Sequence, residues 1–227
     1  MEIKSPAVKM STEEIYTILK REILTLKIPP GELISENDIS KRFNISRTPV
    51  RSVFSKLSTD KLVEIRPQKG TYVSLLDFEL IKQLIFMRTV LEINVVSDAI
   101  NHVTEEVIEE MEENLARQRA FLANPTKPED FYLIDSELHH ICFRMTHKEK
   151  LWDIIQDFQV HYTRFRMLDI VVTKNYEKLY EEHCMFINIL RNKQSNEIVP
   201  FFEGHLKGGL DRLGDRLKRD FKDYFVQ

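Results

Sequence analysis

Two short helix-forming segments separated by Asn44-Ile45-Ser46 constrain the fold of this 227-residue chain more than any other feature. The first segment begins at Ser35 and the second begins near Ser46, and both carry apolar residues at helical spacing. These apolar positions are Ile39 and Phe43 in the first segment and Val50, Val53, Phe54 and Leu57 in the second. Two short helices joined by such a tight turn are the pattern of a helix-turn-helix.

The flanking residues extend this pattern. Ser11 and Glu14 form a capping-box sequence that predicts an earlier helix, which ends at Pro29-Pro30-Gly31 because proline lacks an N–H group. Downstream, β-prone runs at 62–65 and 71–73 surround a glycine-containing turn, which predicts a hairpin. Residues 1–75 are therefore predicted to form a winged helix-turn-helix with a small β-wing.

Charge divides the chain in the same place. Residues 1–75 contain 13 Lys and Arg against 9 Asp and Glu, whereas residues 76–227 contain 20 against 27. A small basic module joined to a larger acidic one indicates that the first module meets a polyanion, for which double-stranded DNA is the natural candidate.

Candidate DNA-binding residues lie at the start of the third helix and at the tip of the hairpin. They are Ser46, Arg47, Thr48 and Arg51 in the helix, and Arg66, Lys69 and Gly70 in the hairpin. A helix N-terminus favours phosphate, arginine can bind guanine through two N–H groups, and hydroxyls contact the DNA backbone. The alternative is an ordinary solvated helix face.

Composition excludes several other classes. The chain has no glycine-rich nucleotide motif and no apolar run of about 20 residues, and its first ten residues lack the apolar stretch of a signal peptide. Its two cysteines cannot form a disulfide framework. We therefore expect a cytoplasmic protein that does not engage a membrane.

Residues 76–227 are predicted to be helical throughout. Asp77 and Thr104 are placed to cap helices, and apolar residues then recur every three to four positions. The predicted fold class is mostly α, with the winged module followed by an all-α bundle of six or seven helices.

Four residues of this bundle form a candidate metal site. Asp135 and His139 are four residues apart, so they lie on one helix face, and later helices carry His183 and His205. One carboxylate and three imidazoles suit zinc, nickel or a related divalent ion. The alternative is a set of surface histidines with a helix-face ion pair. Cys142 lies on the same stripe as Asp135, where its thiol either faces the metal or packs in the core.

The first module resembles the DNA-binding domain of GntR-type bacterial repressors. The resemblance rests on the strings at 33–39, at 46–51 (Ser-Arg-Thr-Pro-Val-Arg) and at 66–73. It implies that Arg47 and Arg51 read bases or adjacent phosphates, that Thr48 holds the backbone and that Gly70 lets the wing enter the minor groove. Asn37 departs from the pattern, because members often carry arginine there.

The second module resembles the FCD effector domain of the FadR subgroup. The similarity is carried by Asp135-Ser136-Glu137-Leu138-His139, Glu182-His183 and His205-Leu206. It implies that Asp135, His139, His183 and His205 bind a divalent metal whose coordination is completed by a small carboxylate. Arg88 then either binds the effector carboxylate or forms an (i, i+4) ion pair with Glu92.

Together these features predict a ligand-responsive transcription regulator, acting as a repressor. We expect a homodimer on an inverted-repeat operator, a divalent metal and a small organic acid as effector, and no enzymatic activity. One alternative is a metal-dependent hydrolase using the Asp and three His residues, with Glu137 or Glu182 as the general base. The other is a DNA-binding dimer with a purely structural metal.

Overall fold

The computed structural model describes residues 10–158 and 160–226, which divide into two compact units. One unit comprises the described residues up to Leu76 together with those from Asp223 onward, and the other is Asp77–Lys222. The C-terminal residues of the chain therefore belong to the first unit. They pair with its backbone at Leu76, whose N–H donates to the Tyr224 carbonyl at 2.8 Å and whose carbonyl accepts the Val226 N–H at 2.9 Å. Most of the residues used to exclude a signal peptide, 1–9, lie outside the described ranges.

Three helices build the first unit: α1 (Thr12–Leu24), α2 (Glu36–Phe43) and α3 (Arg47–Thr59). Each begins where its cap was predicted. The Ser11 hydroxyl accepts the Glu14 N–H at 3.2 Å while the Glu14 carboxylate accepts the Ser11 N–H at 2.7 Å, which completes the capping box. Ser35 caps α2 by accepting the Asn37 N–H at 3.2 Å. Ser46 occupies the cap position of α3, but its side chain makes no capping bond.

An antiparallel sheet of three strands completes this unit, with β1 (Leu33–Ile34), β2 (Val63–Arg66) and β3 (Gly70–Val73) in the order β1-β3-β2. In the hairpin, Val63 is paired with Val73 and Arg66 with Gly70. The predicted β-wing is therefore confirmed. Strand β1 pairs Ile34 with Thr71 and so attaches the wing to the start of α2.

Packing of α1 on α3 forms the core of the first unit. Its fully buried residues come from the predicted apolar stripes: Ile15, Leu19 and Ile23 of α1, and Val50, Val53, Phe54 and Leu57 of α3. Glu22 is the buried charge in this region, and its carboxylate accepts two N–H groups of Arg42 at 2.6 Å each. This two-bonded ion pair connects α1 to α2, and it leaves the buried Glu22 carboxylate with a charged partner.

Seven helices within 77–158 and 160–222 form the second unit, which confirms the predicted all-α bundle. They are α4 (Phe78–Ala99), α5 (Glu105–Ala123), α6 (Pro128–Met145), α7 (Glu149–Phe158), α8 (Val160–Thr173), α9 (Tyr176–Arg191) and α10 (Ile198–Asp220). The predicted caps are present, since Asp77 accepts the Leu80 N–H at 2.9 Å and Thr104 accepts the Val107 N–H at 3.4 Å. Helix α10 departs from helical geometry at Gly214, where φ is 40° and ψ is −128°.

The core of this bundle brings three helices, α6, α9 and α10, to one place. Helix α4 packs against α6, α8 and α10, and α5 packs against α6 and α9. As a result, α6, α9 and α10 present side chains to a common interior region. Among the described residues, no helix is long and apolar enough to cross a membrane.

Candidate metal centre and nucleic-acid interface

The four predicted ligands lie together in the interior of the bundle. Asp135 and His139 come from α6, His183 from α9 and His205 from α10, and one possible ligand atom from each lies within 4.8 Å of all the others. All four residues are buried. Neighbouring turns of one helix and two further helices thus bring one carboxylate and three imidazoles to a single point.

Each imidazole of this set is oriented by an acceptor at its Nδ1 atom. The contacts are His139 Nδ1 to Glu92 Oε2 at 2.6 Å, His183 Nδ1 to Gln118 Oε1 at 2.8 Å and His205 Nδ1 to Glu182 Oε2 at 2.6 Å. Because a carboxylate or an amide oxygen only accepts, Nδ1 carries the proton in each case. The Nε2 atoms are then left with lone pairs, which is the arrangement of histidines that bind metals.

These lone pairs face one another. The Nε2 atoms of His139 and His205 are 3.2 Å apart. The Nε2 atom of His183 lies 3.4 Å from Asp135 Oδ1, and it is buried without a hydrogen-bond partner among the described residues. Ligand atoms about 2.0–2.2 Å from one ion are separated by roughly 3.0–3.5 Å, so these distances fit a divalent metal. A cation would also remove the repulsion between facing lone pairs.

Electrostatics favours the ligating protonation states of His183, His205 and Asp135. Burial lowers the pKa of His183 well below its ordinary value, and burial also lowers the pKa of His205 although Glu182 opposes the shift. These imidazoles are therefore neutral near pH 7. Burial alone would raise the pKa of Asp135, but the charge of Arg166 holds it well below the usual range. The aspartate is thus an anion.

For Arg166 of α8 the sequence left two alternatives open, a residue that lines the pocket or part of a solvated or dimer-facing surface. Its side chain is only 14% exposed and it binds Asp135, which supports the first alternative. Its Nη2 donates to Oδ1 and its Nη1 donates to Oδ2, both at 2.8 Å. The two residues are 31 positions apart and no motif joins them, so the pairing is visible only once α8 is packed against α6.

Arg88 and Glu92 form the ion pair that was the alternative reading of their spacing. The Arg88 Nε donates to Glu92 Oε1 at 2.6 Å, and the guanidinium lies 5.1 Å from the Tyr162 ring centroid and 5.7 Å from that of Trp152. Burial opposes ionisation of Glu92, but Arg88 and then His139 lower its pKa to about 2. Glu92 thus links Arg88 to His139. The effector-binding role of Arg88 stays a prediction.

Other candidates on α6 and α9 belong to the packing. Cys142 is buried in the hydrophobic core and burial raises the pKa of its thiol, which supports the packing interpretation. His140 stacks on Trp152 with ring centroids 5.6 Å apart, away from the ligand set. Gln118 was missed altogether, because nothing in the sequence connects it with His183, 65 positions later.

A small cavity borders the ligand set. Its volume is about 20 Å³, roughly one water molecule, and its lining includes Tyr162, Arg166, Asp169, His205 and Arg212. The Arg212 guanidinium is paired with the Asp169 carboxylate at 2.5 Å. The cavity therefore combines two guanidinium groups with an edge of the candidate metal site.

Neither proposed general base is placed to serve a hydrolase. Glu137 is exposed, and its carboxylate pairs with Arg117 at 2.6 Å. Glu182 binds Nδ1 of His205, which is the nitrogen turned away from His139. Both carboxylates are therefore already engaged, Glu137 with Arg117 and Glu182 with His205.

The candidate DNA-binding residues share one property, which is exposure. Ser46, Arg47, Thr48, Arg51, Arg66, Lys69 and Gly70 are all exposed. The Arg51 Nε contacts both oxygens of Glu36 at 3.0 Å, and the Arg66 Nη2 donates to Glu64 at 2.7 Å. Surface pairs of this kind contribute little to stability, so both arginines can exchange these partners for phosphate or bases.

Gly70 is expected to be strained by any side chain. Its φ of +121° lies in the region that favours glycine, and an added Cβ, 2.6 Å from Leu33 Cδ1, would also displace the end of that exposed side chain. We expect Gly70→Ala to lower the free energy of unfolding by about 1–3 kcal/mol and to weaken DNA binding. Urea unfolding and DNA titration measure both effects. Gly204→Ala is the control, since its Cβ meets nothing within 4 Å and it should not destabilise.

Comparisons with known proteins agree with both modules. Residues 11–73 match the model described as bacterial regulatory proteins of the gntR family, and residues 83–208 match the FCD domain. The HTH-type transcriptional repressor RspR of Escherichia coli K12 is 30% identical over 215 residues, covering 95% of this chain and 93% of that protein. The Nta operon transcriptional regulator of Aminobacter aminovorans is 21% identical over 184 residues, covering 81% and 85%. Among solved structures, E. coli McbR/YncC superposes with a TM-score of 0.68 at 16% identity, covering 93% of this chain and 99% of the other.

Proposed function

Because the chain belongs to the GntR family of bacterial regulatory proteins and carries an FCD domain, we propose that it is a repressor whose operator affinity is set by a divalent metal and a small carboxylic acid. It is a transcription regulator of the GntR and FCD type. Its relative RspR is named a repressor, and this supports the same sign of regulation here.

The orientation of the three imidazoles is the observation that carries the metal proposal. Glu92, Gln118 and Glu182 each hold one Nδ1 atom, so three Nε2 lone pairs converge beside the Asp135 carboxylate. We assign Asp135, His139, His183 and His205 as the ligands, with zinc or nickel as the ion that the donor set suits. When bound, such an ion supplies a Lewis-acidic centre that a carboxylate can join.

The exposed residues of α3 and of the wing carry the DNA-binding proposal. Two copies of the chain present them to an inverted repeat, since twofold protein symmetry is mirrored in the operator. Regulation then requires that the acid bind the DNA-competent and DNA-incompetent states with different affinity. A few kcal/mol of such coupling suffices for a switch.

The hydrolase alternative has less support, because Glu137 and Glu182 are both engaged in other contacts. A structural metal is the remaining rival, and it differs from the proposal in predicting no response to acids. The purified full-length chain is tested by metal analysis, by footprinting on its own promoter region and by a thermal-shift screen of small carboxylates. Stabilisation by an acid that also changes the footprint supports the proposal. A bound metal with no response to any acid supports the structural role.

Arg47→Ala is expected to lower the affinity for the operator by about 1–3 kcal/mol, because the variant loses a guanidinium at the exposed start of α3. Fluorescence titration of operator and unrelated duplexes measures the loss in each. Arg21→Ala, which removes the same charge from the exposed face of α1, is the control and should leave the preference for the operator over unrelated duplexes unchanged. Equal losses in the two variants would contradict the assignment of Arg47.

A further inference from the structure

Arg166 forms an ion pair with Asp135, the carboxylate that the proposed metal site needs as a ligand. Its fork engages both Asp135 oxygens at 2.8 Å, so neither oxygen is without a donor. The carboxylate raises the pKa of the Arg166 guanidinium although burial opposes its charge. The pair is therefore a full ion pair at the edge of the three imidazoles.

The formal charges around the ligand set do not cancel. Three carboxylates lie there, Glu92, Asp135 and Glu182, against the guanidiniums of Arg88 and Arg166, which leaves one negative charge with neutral imidazoles. The neighbouring Asp169 and Arg212 balance each other. A divalent cation reverses the excess to one positive charge, and a single carboxylate then restores neutrality. Unbalanced charge in a buried site is costly. The change of net charge from minus one to plus one and then to zero therefore favours binding of the metal first and of an acid second.

Of the two arginines, only Arg166 lies on the open side of the site. The Arg88 side chain is 2% exposed, pairs with Glu92 and stands over the Tyr162 and Trp152 rings. The Arg166 side chain lines the small cavity together with His205 and Arg212. A group in the cavity can therefore contact Arg166, whereas Arg88 does not line the cavity.

We propose that Arg166 is an exchangeable counter-ion: it holds Asp135 while the site is metal-free and turns to a carboxylate in the cavity once Asp135 binds metal. This inference rests on the metal-dependent function proposed above. A dication and a guanidinium that share one carboxylate repel each other, which loosens the fork. The freed guanidinium then presents its N–H groups to the cavity, where it can bind a carboxylate through two parallel hydrogen bonds.

Movement of Arg166 would also make room for an acid in the cavity. The cavity of about 20 Å³ cannot admit even a small organic acid. Release of the fork from Asp135 displaces a side chain that forms the cavity wall. Acid binding is in this way conditional on the metal, and the two affinities must be coupled reciprocally.

Arg166→Met in the full chain tests the exchange, with zinc and acetate as probes. Zinc affinity is measured by competition with a chelating indicator, and melting temperatures of zinc-loaded protein are measured with and without acetate. Since the competitor for Asp135 and its repulsion of the cation are both gone, we expect zinc to bind about tenfold more tightly than in the wild type, which is about 1.4 kcal/mol. Acetate should raise the melting temperature of the zinc-loaded wild type but not that of the variant.

Arg144→Met is the matched control, because Arg144 lies on α6 and pairs with Glu110 at the surface. Its zinc affinity and acetate response should equal those of the wild type. Arg166→Lys keeps the charge without the fork and should bind zinc with intermediate affinity, which preserves the test if the Met variant does not fold.

Zinc affinity at or below that of the wild type in the Arg166 variants, or an acetate response equal in wild type and Arg166→Met, would overturn the exchange. If zinc binds the wild type, is lost in His183→Ala and is unaffected by Arg166→Met, only this inference fails. If the wild type binds no zinc, the proposed metal-dependent function fails with it.

Discussion

His183→Ala is expected to reduce bound zinc from one ion per chain to below detection and to abolish zinc-dependent thermal stabilisation. His183 is fully buried and is the only proposed ligand from α9, and its buried Nε2 atom has no hydrogen-bond partner among the described residues. Without it, two imidazoles and a carboxylate held by Arg166 remain. Metal analysis after gel filtration, together with calorimetric titration, measures the loss.

The control for this experiment is His140→Ala. His140 is next to a proposed ligand in the chain, but its ring stacks on Trp152 and it is not part of the cluster. This variant should keep its zinc, whereas a full complement of zinc in His183→Ala would rule out the proposed ligand set. DNA binding by metal-free protein should survive in both, because the exposed residues of α3 and the wing are unchanged.

Glu92→Gln is expected to lower the free energy of unfolding of the metal-free protein by about 3–5 kcal/mol, because it leaves the buried Arg88 charge without its partner. The same change disturbs the acceptor that orients His139, so zinc affinity should fall by about 10- to 100-fold. Urea unfolding and indicator competition measure the two effects. Glu112→Gln, at an exposed pair with Arg191, is the control and should cost about 0–1 kcal/mol.

The dependence of stability on pH gives Glu92 a second signature. Its pKa is lowered from 4.5 to about 2 in the folded chain. A carboxylate with a depressed pKa stabilises the fold above its unfolded pKa, so this contribution should be present at neutral pH and disappear as the pH falls from about 4.5 to about 2. Glu92→Gln should lack this part of the acid transition. Unchanged stability with an unchanged acid transition would show that the pair does not stabilise the fold.

The winged module could be predicted because its signals are local. The Ser11 and Glu14 capping box, the Ser35 cap and the glycine turn of the wing each depend on residues within a few positions of one another. The apolar stripes of α1 and α3 likewise follow from helical periodicity, and they are the stripes that pack together. The attachment of β1 to the wing and the ion pair between Glu22 and Arg42 required longer-range contacts.

The candidate metal site could be predicted from the sequence only in part. Asp135 and His139 are joined by helical spacing, whereas His183 and His205 were proposed because later helices of a bundle can reach the same point, and the resemblance to a family supported that choice. The groups that hold them, among them Gln118, Arg166 and Glu182, lie 65, 31 and 23 positions from their partners. No period connects residues on different helices, so their roles could not be derived from the pattern.

By itself, the sequence determined which segments are helical, where the helices with predicted caps begin, and which residue types are available for DNA and metal. These properties depend on backbone capping, periodicity and side-chain chemistry, all of which act over short stretches of chain. The packing of α4, α5, α6, α8, α9 and α10 decided the rest. It chose the acceptor for each imidazole and gave Asp135 an arginine as its partner, because hydrogen bonds between buried groups are specified by position in space and not by separation in the chain.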